Sequence, residues 1–141
     1  MQDVHLPKDA ILPTSAGIKS PLMCLTQARY GIVWGALGAA LACFDEALQY
    51  ALQREMFGKP IASTQLQQER LAEMATKVEA MRALVYRAAA MLSAAHADGP
   101  QQAAIAKLYT GRAAFEVVND AMQIHGGYGY SSEFPLERML R

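Results

Sequence analysis

Arg54 and the run Gln123-Ile124-His125-Gly126-Gly127-Tyr128-Gly129-Tyr130 have the greatest capacity for chemistry in this sequence. Glycines at 126, 127 and 129 leave main-chain amides uncovered and permit positive φ. Such a turn either ends a helix or lets a large planar or phosphorylated ligand approach the backbone. Arg54 closes a long apolar-periodic stretch and is followed by Glu55-Met56-Phe57-Gly58-Lys59-Pro60. Its guanidinium is a planar fork suited to phosphate or pyrophosphate. A cation at a helix C-terminus is also favoured by the helix dipole alone. Gln65, eleven residues after Arg54, either hydrogen-bonds a ligand or serves the first turn of the next helix.

Other chemistries find little support. His5, His96 and His125 have no metal-ligand spacing. The carboxylates are scattered, mostly outside the apolar stripes, and form no dyad that nominates a general base. Cys24 and Cys43 give neither a disulfide framework nor a metal motif, which fits a reducing cytosol or organelle matrix. Thirteen basic and thirteen acidic residues balance, so no broad pull toward nucleic acid or membrane is expected. The N-terminus is polar, with no signal-peptide core. The uncharged run Tyr30–Phe44, 15 residues long, is short for a bilayer span and reads as a buried core helix. The low share of charged residues, 18%, fits either extra surface buried in an oligomer or an Ala-rich bundle.

Three long helices must position these groups. Tyr30, Trp34, Leu37, Leu41, Phe44, Leu48 and Ala51 recur at helical spacing and predict a helix from about Met23 to Arg54, ended by Gly58 and Pro60. Thr64 with Gln67 three later reads as a capping box opening the second helix. Its stripe is Leu71, Met74, Val78, Met81, Val85, Ala88, Leu92 and Ala95, and Asp98-Gly99 stops it. Pro100 suits the first turn of a third helix, with Ala104, Leu108, Gly111, Phe115, Val118, Met122 and His125 as its stripe. Ser131-Ser132-Glu133 and Pro135 read as the start of a fourth helix that is cut off at Arg141. The expected fold is all-α: an antiparallel, up-down bundle of three long helices plus a truncated fourth. Val4-His5-Leu6-Pro7 and Ile11-Leu12-Pro13 read as short extended pieces with nothing to pair with, as if cut from a neighbouring sheet domain. The expected organisation is a strand remnant over 1–13, a linker over 14–21 and a helical domain over 22–141.

Together these residues resemble the C-terminal helical domain of the acyl-CoA dehydrogenase family. Tyr50-Ala51, Arg54, Phe57-Gly58 and Pro60 match one family motif, and Gln65-Leu66-Gln67 with Leu71-Ala72-Glu73-Met74 continue in register. Gln123 to Tyr130 match the second flavin motif, and Asp3 to Lys8 resemble the last strand of the family's middle β-domain. Ala28 to Gly35, with Cys24-Leu25 ahead, look most like the glutaryl-CoA dehydrogenase branch.

The resemblance implies FAD and a homo-oligomer, a tetramer built as a dimer of dimers. It implies that Arg54, Phe57, Gln65, Gln123, Ile124, His125, Gly126 and Gly127 contact FAD, Arg54 and Gln65 that of a neighbouring subunit. Leu22, Met23, Cys24, Leu25, Thr26, Gln27, Ala28 and Arg29 correspond to an acyl-CoA-lining stretch. The implied reaction is α,β-dehydrogenation of an acyl-CoA thioester, with electrons leaving to an electron-transferring flavoprotein. The implied location is a bacterial cytoplasm or mitochondrial matrix. By family register the catalytic glutamate would fall about nine residues beyond Arg141, so no residue here, Glu133 and Glu137 included, is assigned as the base. The chain is therefore expected to be an inactive fragment. Two other readings remain: a non-catalytic oligomerisation module, and a relative such as an acyl-CoA oxidase or flavin monooxygenase.

Overall fold

Helix α1 runs Lys19–Gln53, four residues earlier than the sequence pattern indicates. Lys19, Ser20 and Pro21 form its first turn, where a proline's missing N–H has no intrahelical partner to lose. The expected linker is thus partly helical. The computed structural model describes residues 2–15 and 17–141. Among the described N-terminal residues there is no strand: Lys8–Ala10 forms one 3-10 turn and its neighbours are irregular and exposed. Pro7 and Ile11 are extended, but an isolated extended segment has no ladder partner, so no strand is formed.

After α1 comes a two-stranded hairpin, β1 (Glu55–Met56) and β2 (Lys59–Pro60), paired antiparallel. Phe57 and Gly58 form its turn, with φ of 53° and 75°. Two central residues with positive φ are the mark of a type I′ turn, whose twist suits a hairpin. A 3-10 turn, Ile61–Ser63, leads to α2, Gln65–Ser93. Thr64 is the N-cap as expected, but the capping box does not form. Its hydroxyl donates back to the Ile61 carbonyl at 2.8 Å rather than capping α2. Helix α2 stops at Ser93, before Asp98-Gly99. Helix α3 spans Gly99–His125, with Pro100 in its first turn as expected. The glycine run Gly126–Tyr130 coils as a 3-10 turn, and a five-residue α4, Leu136–Leu140, follows.

Ring and ion contacts fix the directions. Trp34 of α1 meets Tyr86 of α2 at 5.3 Å between centroids. Arg70, early in α2, bonds Asp120, late in α3. Tyr50, at the end of α1, stacks on His125, at the end of α3. The bundle is therefore up-down-up, with α2 antiparallel to its two neighbours and α1 and α3 ending together.

The core runs through Val33, Leu37, Ala40, Cys43, Ala47 and Ala51 of α1, then Met74, Val78, Met81 and Val85 of α2, and Ala113, Val117, Val118, Ala121 and Ile124 of α3. Each fully buried Met or Val stabilises by roughly 1.5–3 kcal/mol relative to exposure. The α2 stripe is the expected one. The α3 stripe is the expected one only in its last turns, where Val118 and His125 are buried and Met122 packs on the core; before them Ala103, Ala106, Thr110, Ala113 and Val117 face inward, while Ala104, Leu108, Gly111 and Phe115 are exposed. Small residues face inward because α3 lies against both other long helices and must approach them closely.

Across the α2–α3 seam, Arg70 reaches Asp120 at 2.7 Å and Lys77 reaches Glu116 at 2.9 Å. Lys77 is held above its ordinary pKa by the Glu116 hydrogen bond, against partial burial, with the charges of Glu116, Asp120 and Glu73 adding to the effect. Helix α1 is also long and apolar enough, by length and composition, to cross a membrane. In this structure it forms a wall of the bundle.

Candidate functional site

The common end of α1 and α3 holds the site. Helix α1 ends at Gln53, and Arg54 turns into extended backbone, φ −72° and ψ 120°. Its amide donates to the Tyr50 carbonyl and its own carbonyl accepts the Ile61 amide, both at 2.8 Å. These two bonds tie the helix end to the hairpin base and fix where the guanidinium starts. Among the described residues, Arg54 has no ion pair.

A cavity of about 590 Å³ opens beside it. Arg54, Gln123, Ile124, His125, Gly126 and Gly127 all line it, joined by Tyr50, Met56, Ile61, Gln67, Tyr128 and Ser131. The fold thus brings together two motifs some seventy residues apart in the chain.

His125 is the best-fixed side chain there, 3% exposed. Its ring stacks on Tyr50, with centroids 4.0 Å apart and planes 24° apart, and meets Phe134 edge-on at 4.9 Å. Phe134 also packs edge-on against Tyr50. His125 Nδ1 lies 2.8 Å from the Ala121 carbonyl oxygen. A carbonyl only accepts, so Nδ1 carries the hydrogen, and of the two neutral tautomers this contact selects the one in which Nε2 is an acceptor. Nε2 is buried without a partner, and so is Gln67 Oε1.

The three glycines do different work. Gly126 ends α3 at φ 59°, ψ −133°, a conformation essentially reserved for glycine. Gly129 is forced by space: an added Cβ would lie 2.6 Å from the Met122 carbonyl oxygen. Gly127 has neither constraint, and its missing side chain leaves the cavity wall open.

Several candidates lie elsewhere. Phe57 sits at the hairpin tip, 99% exposed, outside the cavity. Gln65 is exposed at the start of α2 and does not line it. Leu22 through Arg29 are all exposed on the first turns of α1. Gln27 and Arg54 are separated by about 40 Å of helix at 1.5 Å per residue. Within one chain, the acyl-CoA candidates and the cavity are therefore at opposite ends of α1. Glu133 and Glu137 do not line the cavity either, and Glu137 pairs with Arg141 at 2.8 Å. Cys43 is no nucleophile: burial, with Glu46 adding to it, raises its thiol to about 11.

Two lining residues escaped the sequence reading although a signal existed. Tyr50 precedes Arg54 by one helical turn and shares its face. Gln67 continues the Leu71, Met74, Val78 stripe backward by one turn, a polar residue where the pattern calls for an apolar one.

The fold and site together define an all-α bundle that carries, at one end, a cavity lined by a cation and a glycine turn. The chain belongs to the acyl-CoA dehydrogenase family, whose C-terminal domain matches residues 15–141. It is 39% identical, over its whole length, to the 3-(aryl)acrylate reductase of Clostridium sporogenes and covers 37% of that protein. A subunit of the caffeyl-CoA reductase-Etf complex of Acetobacterium woodii is likewise 39% identical, over all of this chain and 37% of that one. The crystal structure of glutaryl-CoA dehydrogenase from Mycobacterium smegmatis superposes with a TM-score of 0.90 at 38% identity, covering 96% of this chain and 35% of that one. The chain thus spans little more than a third of the length of these relatives.

Proposed function

We propose that this chain is the C-terminal helical part of an FAD-dependent acyl-CoA dehydrogenase and that its cavity receives the dinucleotide. The carrying observation is the meeting of an unpaired Arg54 with Gln123–Gly127 in one cavity. The residues present fit FAD. Arg54 offers a fork for pyrophosphate, Gly127 leaves room at the wall, and two buried acceptors lack partners. When bound, FAD supplies acceptance of a hydride from the acyl thioester.

Leu22–Arg29 serve acyl-CoA at the far end of α1, so a second copy is needed to bring the two ends into register. A homo-oligomer follows from this reading, as does an electron-transferring flavoprotein as acceptor. Phe57 and Gln65, exposed and outside the cavity lining, take part only once another subunit's FAD lies across them. No glutamate in the cavity is available as the base. The relatives' names differ in the acyl group, so the glutaryl branch rests on Ala28–Gly35 with Cys24-Leu25 ahead, and on the likeness to the glutaryl-CoA dehydrogenase structure. A reducing compartment, bacterial cytoplasm or mitochondrial matrix, suits the free thiols of Cys24 and Cys43.

Titrating FAD with the purified chain and following flavin fluorescence anisotropy tests this. Saturable binding is expected, weakened about tenfold or more in Arg54→Gln, the scale of a lost charge-assisted hydrogen bond. Unchanged anisotropy with the wild-type chain would leave the second reading, a helical oligomerisation module, which the exposed Leu108 and Phe115 favour.

A further inference from the structure

Gln67 Oε1 and His125 Nε2 line the same cavity, and both are buried polar atoms without a hydrogen-bond partner. Such atoms are rare in folded proteins, because each loses its hydration with nothing in return. Both are also of one kind. An amide oxygen accepts only, and His125 Nε2 accepts because Nδ1–H is committed to Ala121. The cavity lining therefore offers acceptors at Gln67 Oε1 and His125 Nε2 and donors at Arg54.

We propose that Gln67, which lines the same cavity as His125, binds a hydrogen-bond donor of the nucleotide half of the ligand, a ribose hydroxyl or a purine amino group. The inference rests on the cavity being the dinucleotide site. Gln67 is the moving member. Its carboxamide ends three rotatable bonds, and its oxygen has no protein partner to give up when it swings into the cavity. His125 is fixed by the Ala121 bond and by its stacking on Tyr50. Its bare Nε2 adds a second acceptor to the lining, so a ligand turns its anionic part toward Arg54 and its donor toward Gln67. A carbonyl or phosphate oxygen facing Gln67 Oε1 and His125 Nε2 would be repelled. Gln67 is thus a specificity-determining residue that sets which end of the ligand lies where.

The test uses the whole 15N-labelled chain with ADP, 2′,3′-dideoxy-ADP and inosine diphosphate as probes, followed by two-dimensional NMR. Added ADP is expected to shift the Gln67 side-chain amide signals. Gln67→Leu should bind ADP about tenfold more weakly, the scale of one hydrogen bond. The same variant should melt higher than wild type without ligand, because a buried unpaired oxygen is removed. One analogue, dideoxy-ADP if a hydroxyl is the donor or inosine diphosphate if the amine is, should bind wild type and Gln67→Leu equally. ADP binding that Arg54→Gln weakens and Gln67→Leu leaves untouched overturns this inference alone. No binding by the wild-type chain overturns the dinucleotide reading and this inference with it.

Discussion

At the scale of single residues, the glycine turn separates roles that one motif presents as uniform. Gly126 supplies a backbone conformation, Gly129 supplies close approach to Met122, and Gly127 supplies open space. Substitution by alanine should therefore give two different outcomes. Gly126→Ala and Gly129→Ala should each destabilise by roughly 1–3 kcal/mol, the first through backbone strain and the second through overpacking. Gly127→Ala should fold as wild type, within about 0.5 kcal/mol, yet bind FAD several-fold more weakly. Urea unfolding and FAD anisotropy on the three variants check this. Equal destabilisation in all three would mean that Gly127 is structural and not a wall of the cavity. The sequence gives the position of the turn but cannot assign these roles. Gly129 depends on a carbonyl seven residues back, and Gly127 on side chains from α1 and α2.

At the scale of elements, helix α2 contains a correctable fault. Ala95 adopts φ 51° just past its end, while Ala95 N–H bonds Leu92 O at 3.0 Å and His96 N–H bonds Met91 O at 2.9 Å. This is the left-handed cap that glycine normally provides, because a Cβ crowds that conformation. Ala95→Gly should stabilise the chain by about 1 kcal/mol, read as a higher urea midpoint with an unchanged slope. A lower midpoint would mean that Ala95 is not left-handed. The cap also explains why α2 stops before Asp98-Gly99, the punctuation visible in the sequence: an alanine carries no turn signal. Helix existence and order were legible because Met74, Val78, Met81 and Val85 repeat without a break. The face of α3 was legible only from Val118 onward. It has two apolar stripes one residue apart, Ala103-Ala106-Thr110-Ala113-Val117 and Ala104-Leu108-Gly111-Phe115. Hydrophobicity favours the second, with its Leu and Phe. Close packing between α1 and α2 requires the first, and side-chain volume at a helix crossing is not written in a period.

At the scale of the whole molecule, that second stripe is the consequence of a helix apolar on more faces than its neighbours here cover. Leu108 and Phe115 are 57% and 59% exposed, two turns apart on one side of α3, with Gly111 between them. Ile105 adds to the same surface. A monomer would leave these side chains in water, where each forfeits on the order of 1.5–3 kcal/mol of burial. The glycine between them permits the close backbone approach that packed helices use. The separation of the proposed acyl-CoA stretch, Leu22–Arg29, from the cavity by the length of α1 points the same way, since a second copy running antiparallel would bring opposite ends together. The chain should therefore run larger than its 15.3 kDa monomer mass in light scattering at micromolar concentration. A double variant, Leu108→Glu with Phe115→Glu, should shift it to monomer while keeping its helical circular dichroism, because neither side chain belongs to the core. If the wild type is monomeric at every concentration tested, the apolar side of α3 does not join copies of this chain. If instead the double variant unfolds, that side is packed within the chain after all, and Leu108→Ser alone should then lower the melting temperature in proportion.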